Sequence, residues 1–282
     1  MRTVNSLSGG KTSAYIAANY PADHNVFALV RTNDVNCKFP DDSLRKQVED
    51  RIQQPFVGTL EEDDIIYTMF DLEQYLGQEI KWVTGIPFEN VIENKGGYIP
   101  NKMVRYCTTE LKVVPIFQWW WYQFGYADEA VDMRIGYRAN ETGRAEKMMS
   151  KLGDDGLEEI KMTVSHHKDG RNKWEYFKWR KPSFPLIVDG IYKDSIEKYW
   201  EDKPVRFANL NNCVGCYWRN EILLKKQSED HPNKFEWFAK QERDRKGTWK
   251  TGITYDKIKR HKLQLELSLD DFNDCDSGYC GV

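Results

Sequence analysis

Thr3-Val4-Asn5-Ser6-Leu7-Ser8-Gly9-Gly10-Lys11-Thr12-Ser13-Ala14 opens the chain with a short apolar run, a glycine pair and the start of a helical pattern. The helix-like stretch Thr12 to Tyr20 is followed by a second apolar run, Val26 to Thr32. Run, turn, helix and run in this order predict a βαβ unit, whose two strands lie parallel. Glycines at a strand-to-helix turn let the backbone approach an oxyanion, and the first amides of the helix, with its positive end, attract phosphate. Lys11 adds a mobile cation, while Ser8, Thr12 and Ser13 add hydroxyl donors. A G-x-x-x-x-G-K-[ST] loop ending at Gly10 needs its first glycine where Asn5 stands inside the run, so that class of phosphate loop is set aside.

The pattern continues outward from this unit. Pro40 precedes Asp41 to Gln54, where Leu44, Val48 and Ile52 recur at four-residue steps and predict an amphipathic helix. A helix over Leu60 to Leu76, a strand at Ile80 to Thr84 and a long loop from Gly85 to Tyr106 are expected next. Thr108 to Phe124 reads as a helix whose Trp119-Trp120-Trp121-Tyr122 run suits core packing, and Val131 to Tyr137 as a strand. Asp154 to Pro185 reads as an inserted hairpin, Pro185 to Val188 as a strand and Asp194 to Glu201 as a helix; charged helices follow Cys213. The fold expected is α/β, a doubly wound, mostly parallel sheet with flanking helices. Residues 1–205 are read as the nucleotide-binding domain, with the insertion at 154–181, and 206–282 as a helical, cysteine-containing C-terminal region.

Composition narrows the classes. The 282 residues carry 41 Lys+Arg against 44 Asp+Glu, a net charge of -3, so the field of the whole chain does not attract nucleic acid. Mean hydropathy is -0.72 and no window approaches the roughly 18 apolar residues of a membrane span. With no basic and apolar leader at Met1 to Asn5, a cytoplasmic protein is expected. Lys168 to Lys181 interleaves Lys and Arg with Trp174, Tyr176, Phe177 and Trp179, which suits either a solvated hairpin with aromatic cross-strand pairs or a surface that holds a phosphate backbone and stacks bases.

The 6 cysteines, read for a reducing compartment, point to thiol or metal chemistry and not to a disulfide scaffold. Cys213 and Cys216 form a C-x2-C pair, and Cys275 and Cys280 a looser pair near the end. Converging thiolates would suit tetrahedral zinc or a [4Fe-4S] cluster; redox thiols and buried, inert cysteines are the competing readings. Cys37 carries no motif and is read as structural, and His166 and His167 as exposed.

Ser8-Gly9-Gly10-x-x-Ser13 is similar to the signature loop of the pyrophosphatase-loop (PP-loop) superfamily. Arg105-Tyr106-Cys107-Thr108-Thr109-Glu110-Leu111-Lys112 and Arg134-Ile135-Gly136-Tyr137-Arg138-Ala139-Asn140-Glu141 follow it, then the paired cysteines. In content and order these segments resemble the phosphoadenosine phosphosulfate (PAPS) reductase family, of the adenine nucleotide alpha-hydrolase-like fold, particularly its compact bacteriophage members. The resemblance implies an enzyme that holds ATP or an adenylyl sulfate across the carboxyl ends of the strands. Ser8, Gly9, Gly10, Lys11, Thr12 and Ser13 would hold the phosphates, with Thr32 and Asn33 beside the adenosine. Arg105, Lys112, Arg134 and Arg138 would meet the remaining anionic oxygens near Gly136.

The same resemblance assigns catalysis to Lys11, Cys107, Lys112, Arg138 and Cys280, and metal ligation to Cys213, Cys216, Cys275 and Cys280, with Cys107 as a further cluster ligand. Mg²⁺ would accompany ATP, and a thioredoxin-like reductant or sulfur donor would be the partner of a homo-oligomer. Two positions depart from the family. Thr12 stands where many PP-loop enzymes carry Asp, and Cys280-Gly281-Val282 shortens the Glu-Cys-Gly-Ile-His-type ending of the reductases. ATP-dependent sulfur transfer to nucleic acid, and a non-catalytic nucleotide-binding or phage structural module, are the alternative functions.

Overall fold

The computed structural model describes residues 1–125 and 129–261. β1 (Thr3–Leu7) leads through a three-residue turn into α1 (Lys11–Asn19), then β2 (His24–Leu29) and the short β3 (Arg31–Thr32). α2 (Asp42–Ile52) starts where the Asp41 carboxylate accepts from the amides of Ser43 and Leu44, both at 2.9 Å, and stops at Gln53 in the left-handed region (φ 53°). β4 (Gly58–Thr59), α3 (Asp64–Leu76) and β5 (Ile80–Thr84) follow. The expected loop from Gly85 to Tyr106 instead contains α4 (Phe88–Asn94), which buries Phe88, Val91 and Ile92. That stripe has the right helical spacing, but seven residues offer less than two repeats for a sequence reading to detect.

A π-type turn (Thr109–Val113) runs into α5 (Val114–Phe124), followed by β6 (Val131–Arg134), α6 (Thr142–Met149), β7 (Glu158–His166) and β8 (Asn172–Ser183). α7 (Pro185–Val188) replaces the strand expected there, because Pro185 at the first helical turn has a backbone angle preset for a helix. α8 (Lys193–Trp200), α9 (Glu221–Asp230), α10 (Pro232–Asp244) and α11 (Tyr255–Arg260) complete the described elements. No helix among the described residues is long and apolar enough to cross a membrane.

The fold is α/β with a mostly parallel six-stranded sheet in the order β5-β2-β1-β6-β8-β7, flanked by helices, as a doubly wound fold requires. β6 pairs parallel with both β1 and β8, while β7 and β8 pair antiparallel as a hairpin. The expected hairpin is therefore present, and its second strand also belongs to the central sheet, with Arg180–Ser183 opposite Val131–Arg134. β3 and β4 form a separate two-stranded ribbon. The chain leaves β1 toward β2 on one side, while β6 flanks β1 on the other, so strand order reverses at β1. In open α/β sheets ligands bind outside the carboxyl ends of the strands at such a reversal. The Ser8–Gly10 turn stands at the carboxyl end of β1.

Two compact units divide the described residues. One holds Met1–Leu7, Lys11–Val26 and Phe117–Lys203; the other holds Ser8–Gly10, Phe27–Ile116 and the described residues from Pro204 onward. In the first, Phe117, Trp120 and Trp179 are buried, and Phe117 meets Trp179 edge-on at 5.6 Å between ring centroids. The Trp120 indole donates to the Glu129 carbonyl at 2.9 Å, so the tryptophan run does serve the core with its buried polar group satisfied. In the second, Phe88, Phe235, Trp237, Phe238, Trp249 and Tyr255 form a buried aromatic cluster. Gly215 abuts the Phe238 ring so closely that any Cβ would collide with it, which explains the glycine between the paired cysteines.

Candidate phosphate-binding loop and its surroundings

The turn after β1 is built on Gly9, whose φ of +82° lies in the left-handed region. A Cβ there would also fall 2.5 Å from Ile65 Cγ2, so the position excludes other residues on two grounds. Gly10 packs against the side-chain amide of Asn211, and a Cβ added at Gly136 would lie 3.4 Å from Thr12 Cγ2 and 3.5 Å from the Ser13 backbone nitrogen. α1 begins at once at Lys11 and has no acidic residue in its first turn, so its own side chains leave the positive end of the helix in place. A lysine at this first position is opposed by the helix dipole; the Glu197 carboxylate of α8 pairs with it and offsets that cost. The Trp200 indole donates to the Lys11 carbonyl at 3.0 Å, and Tyr15 meets Tyr199 edge-on at 5.0 Å, fixing α8 against α1.

Asn211 is positioned by a buried carboxylate that sequence reasoning missed. Glu62, with 0% exposure, accepts from the Asn209 amide at 3.1 Å, the Leu210 amide at 3.0 Å and the Gln227 side chain at 2.9 Å. It thus holds the segment leading into Asn211 by two bonds and ties it to α9 by the third. Its neighbour Glu61, equally buried, accepts from Lys112 Nζ at 2.9 Å, and its backbone carbonyl accepts from Lys234 Nζ at 2.7 Å. Lys234 reaches Asp63 as well, at 2.7 Å. Lys112, expected to meet an anionic ligand, is therefore ion-paired inside the protein with Glu61.

The other expected basic residues have identifiable work. Arg134 donates to the carbonyls of Tyr20 and Pro21, both at 2.8 Å, closing the end of α1. Arg138 is buried, and the Glu141 carboxylate accepts from both its amide (2.8 Å) and its Nε (3.2 Å). The three-residue spacing of that motif lets the Glu141 side chain cap the Arg138 amide while the Glu141 amide donates to the Arg138 carbonyl at 2.8 Å. Arg105 bonds the Thr108 hydroxyl at 3.3 Å and lies over the Trp218 ring at 5.7 Å. The Thr32 hydroxyl donates to Glu89 at 3.0 Å and the Asn33 amide at 2.7 Å. Asn33 and Glu89 border a cavity of about 430 Å³ that is also lined by Glu93, Trp237 and Arg245.

Cys37, Cys107, Cys213 and Cys216 are thiols without a disulfide. Cys275 and Cys280 lie outside the described residues. The sulfur of Cys107 stands 3.5 Å from the Tyr217 hydroxyl, so two sequence motifs 110 residues apart meet next to the C-x2-C segment. Burial above all, and then the nearby Cys107, push the Tyr217 hydroxyl well above its usual range, so it stays protonated and can donate to the sulfur. In the C-x2-C segment the Cys216 amide donates to the Cys213 carbonyl at 3.0 Å, and Asn212 just before it is left-handed at φ 77°. Arg219 closes the segment. Its guanidinium is 1% exposed and donates to the Asn211 carbonyl, while its Nε and Nη1 have no hydrogen-bond partner among the described residues. A buried cation with unfilled donors favours an anionic neighbour, and nothing in the linear sequence marks this arginine.

Among the described residues, no group of three or more His, Cys, Asp or Glu side chains is arranged to hold a metal. Cys213 and Cys216 would supply two of the four ligands that zinc or a [4Fe-4S] cluster takes, and Cys275 and Cys280, the other expected ligands, lie outside the described residues. Cys37 is distinct: burial first, then Asp34, push its thiol up to about 12. Since the thiolate is the reactive form, iodoacetamide at about pH 8 should leave Cys37 unlabelled in the folded protein and label it after unfolding, as read by peptide mass mapping. Labelling of Cys37 in the native state would show that its site opens. No protein-family model matches this chain, and neither curated proteins nor solved structures show a similarity to it.

Proposed function

We propose that this chain is a PAPS reductase-like PP-loop enzyme that binds ATP or an adenylyl sulfate through Ser8–Ser13 and acts at the phosphate or sulfate. The observation that carries this reading is the turn itself: Gly9 in the left-handed region, immediately before a helix without first-turn acids, at the carboxyl end of the strand where sheet order reverses. The loop amides and the positive end of α1 take the phosphate oxygens, and Lys11 swings from Glu197 to a phosphate as a charge-assisted donor. Thr12 and Ser13 offer hydroxyls at the same helix end. Where Mg²⁺ accompanies ATP, it supplies neutralisation of the polyphosphate charge.

Sulfur chemistry falls to the cysteines. Cys107, whose sulfur stands 3.5 Å from the Tyr217 hydroxyl, is the described thiol placed for this role, and the thiolate is the form competent for attack on sulfur. The test is calorimetric titration with ATP, adenylyl sulfate and GTP, followed by product analysis under anaerobic conditions. Saturable binding of an adenylate in preference to GTP is expected. AMP with pyrophosphate would identify attack at the α-phosphate, whereas sulfite released with thioredoxin would identify reduction. Absence of binding by both adenylates would overturn the reading.

A further inference from the structure

We infer that the outer face of the β7–β8 hairpin is a docking surface for single-stranded nucleic acid. Directly opposed residues of an antiparallel pair share a face. The register sets Lys161 opposite Tyr176 and Thr163 opposite Trp174, so these four project to one side; Ile160 opposite Phe177 project to the other. The two sides differ in what they meet. Phe177 packs against Trp121 at 4.9 Å and against Phe117 at 5.6 Å, so the inner face is part of the core. On the outer face Trp174 is 47% and Tyr176 65% exposed, two aromatic rings that the core does not use.

Charge accompanies the rings. Lys161 Nζ sits 4.8 Å from the Trp174 ring centroid and 5.8 Å from that of Tyr176, which holds the rings and an ammonium in one array. Lys168, Arg171 and Lys173 are exposed at the hairpin tip. From Lys161 to Tyr176, the outer part of the hairpin, there are four Lys or Arg against two Asp or Glu, in a chain whose net charge is -3, whereas at its base Lys178 is paired with Asp155 and the buried Arg180 with Glu158. The hairpin is therefore a local positive region on a negative molecule, complementary to a polyphosphate backbone. β7 is the last strand of the sheet, so the array stands at an edge. Blunting that edge against aggregation requires only the charges. It does not account for a large aromatic pair displayed between them. Exposed rings spaced along a strand with lysines beside them match what unpaired bases need, stacking planes and backbone cations, and suit a duplex poorly because its bases are already stacked.

The hairpin alone supplies this surface, whether or not Ser8–Ser13 binds nucleotide. Fluorescence anisotropy with no nucleotide present tests it, using labelled oligo(dT) and oligo(U) of about 20 nucleotides and a matching duplex, in about 50 mM salt. The intact protein is expected to bind a single strand more tightly than the duplex. Trp174→Ala and Tyr176→Ala should each weaken binding by roughly tenfold with the salt dependence retained. Lys161→Glu and Lys168→Glu should also weaken it and flatten the slope of log affinity against log salt by about 0.7 for each phosphate no longer neutralised. All four side chains point to solvent or lie on the outer face, so circular dichroism should show an unchanged fold. No single-strand binding, equal binding of the duplex, or indifference to both aromatic variants would overturn the inference. In the last case, any binding would belong to another surface.

Discussion

Lys112→Met lowers the unfolding free energy by about 3–5 kcal/mol, because it leaves the Glu61 carboxylate buried without its cation. Glu61 is 0% and Lys112 6% exposed, and the two are 2.9 Å apart across 51 residues of sequence. The second oxygen of Glu61 already lacks a hydrogen-bond partner among the described residues, and the neighbouring Lys234 ammonium is engaged by the Glu61 carbonyl and by Asp63. Urea unfolding of the wild type and variant measures the loss. Adding Glu61→Gln removes the stranded charge, so the double variant should regain part of the stability and give a coupling energy of about 1 kcal/mol or more. A single-variant loss below about 1 kcal/mol would mean that the pair contributes little, and would return Lys112 to the anionic ligand that the sequence suggests for it.

That pair also shows where sequence reading stops. The β1–turn–α1 unit is legible because its signals are local: an apolar run, a glycine pair and a helical pattern within seventeen residues, Thr3 to Asn19. The sheet is legible as α/β from the same alternation further on. Glu61-Glu62-Asp63 reads in isolation as a solvated acidic turn, since carboxylates are seldom buried without partners. Its partners come from Lys112, Lys234, Gln227 and the amides of Asn209 and Leu210, between 51 and 173 residues away, and no periodicity announces them. Arg134 and Arg138 show the opposite case. The family resemblance suggests them as anion-binding groups, and the structure engages one with helix-end carbonyls and the other with Glu141. A sequence shows that an arginine is present but not which acceptor reaches it first. Asn211 and Arg219 are invisible for a further reason: their meaning lies in contacts with Gly10 and the C-x2-C segment, which only the folded chain creates.

Lys11→Ala should weaken adenylate binding by at least about tenfold while leaving the urea midpoint nearly unchanged, and Glu197→Gln should tighten the same binding. The two signs follow from one geometry. Lys11 and Glu197 form an ion pair whose side chains are 38% and 41% exposed, so water screens it and its loss costs the fold under about 1 kcal/mol. A phosphate at the end of α1 offers Lys11 a doubly assisted partner, through its own charge and the helix dipole. The ammonium must leave Glu197 to reach it, so the carboxylate competes with the ligand, and its neutralisation in Glu197→Gln lowers the cost of release. A gain of about two- to fivefold is expected from a surface pair of this kind. Calorimetry with ATP at two salt concentrations measures both effects, which should shrink together as salt rises. If Lys11 only buttressed α8, both variants would loosen the α1–α8 packing and shift affinity in the same direction. Opposite shifts therefore separate a ligand-binding lysine from a structural one, and parallel shifts or none would remove Lys11 from the phosphate site.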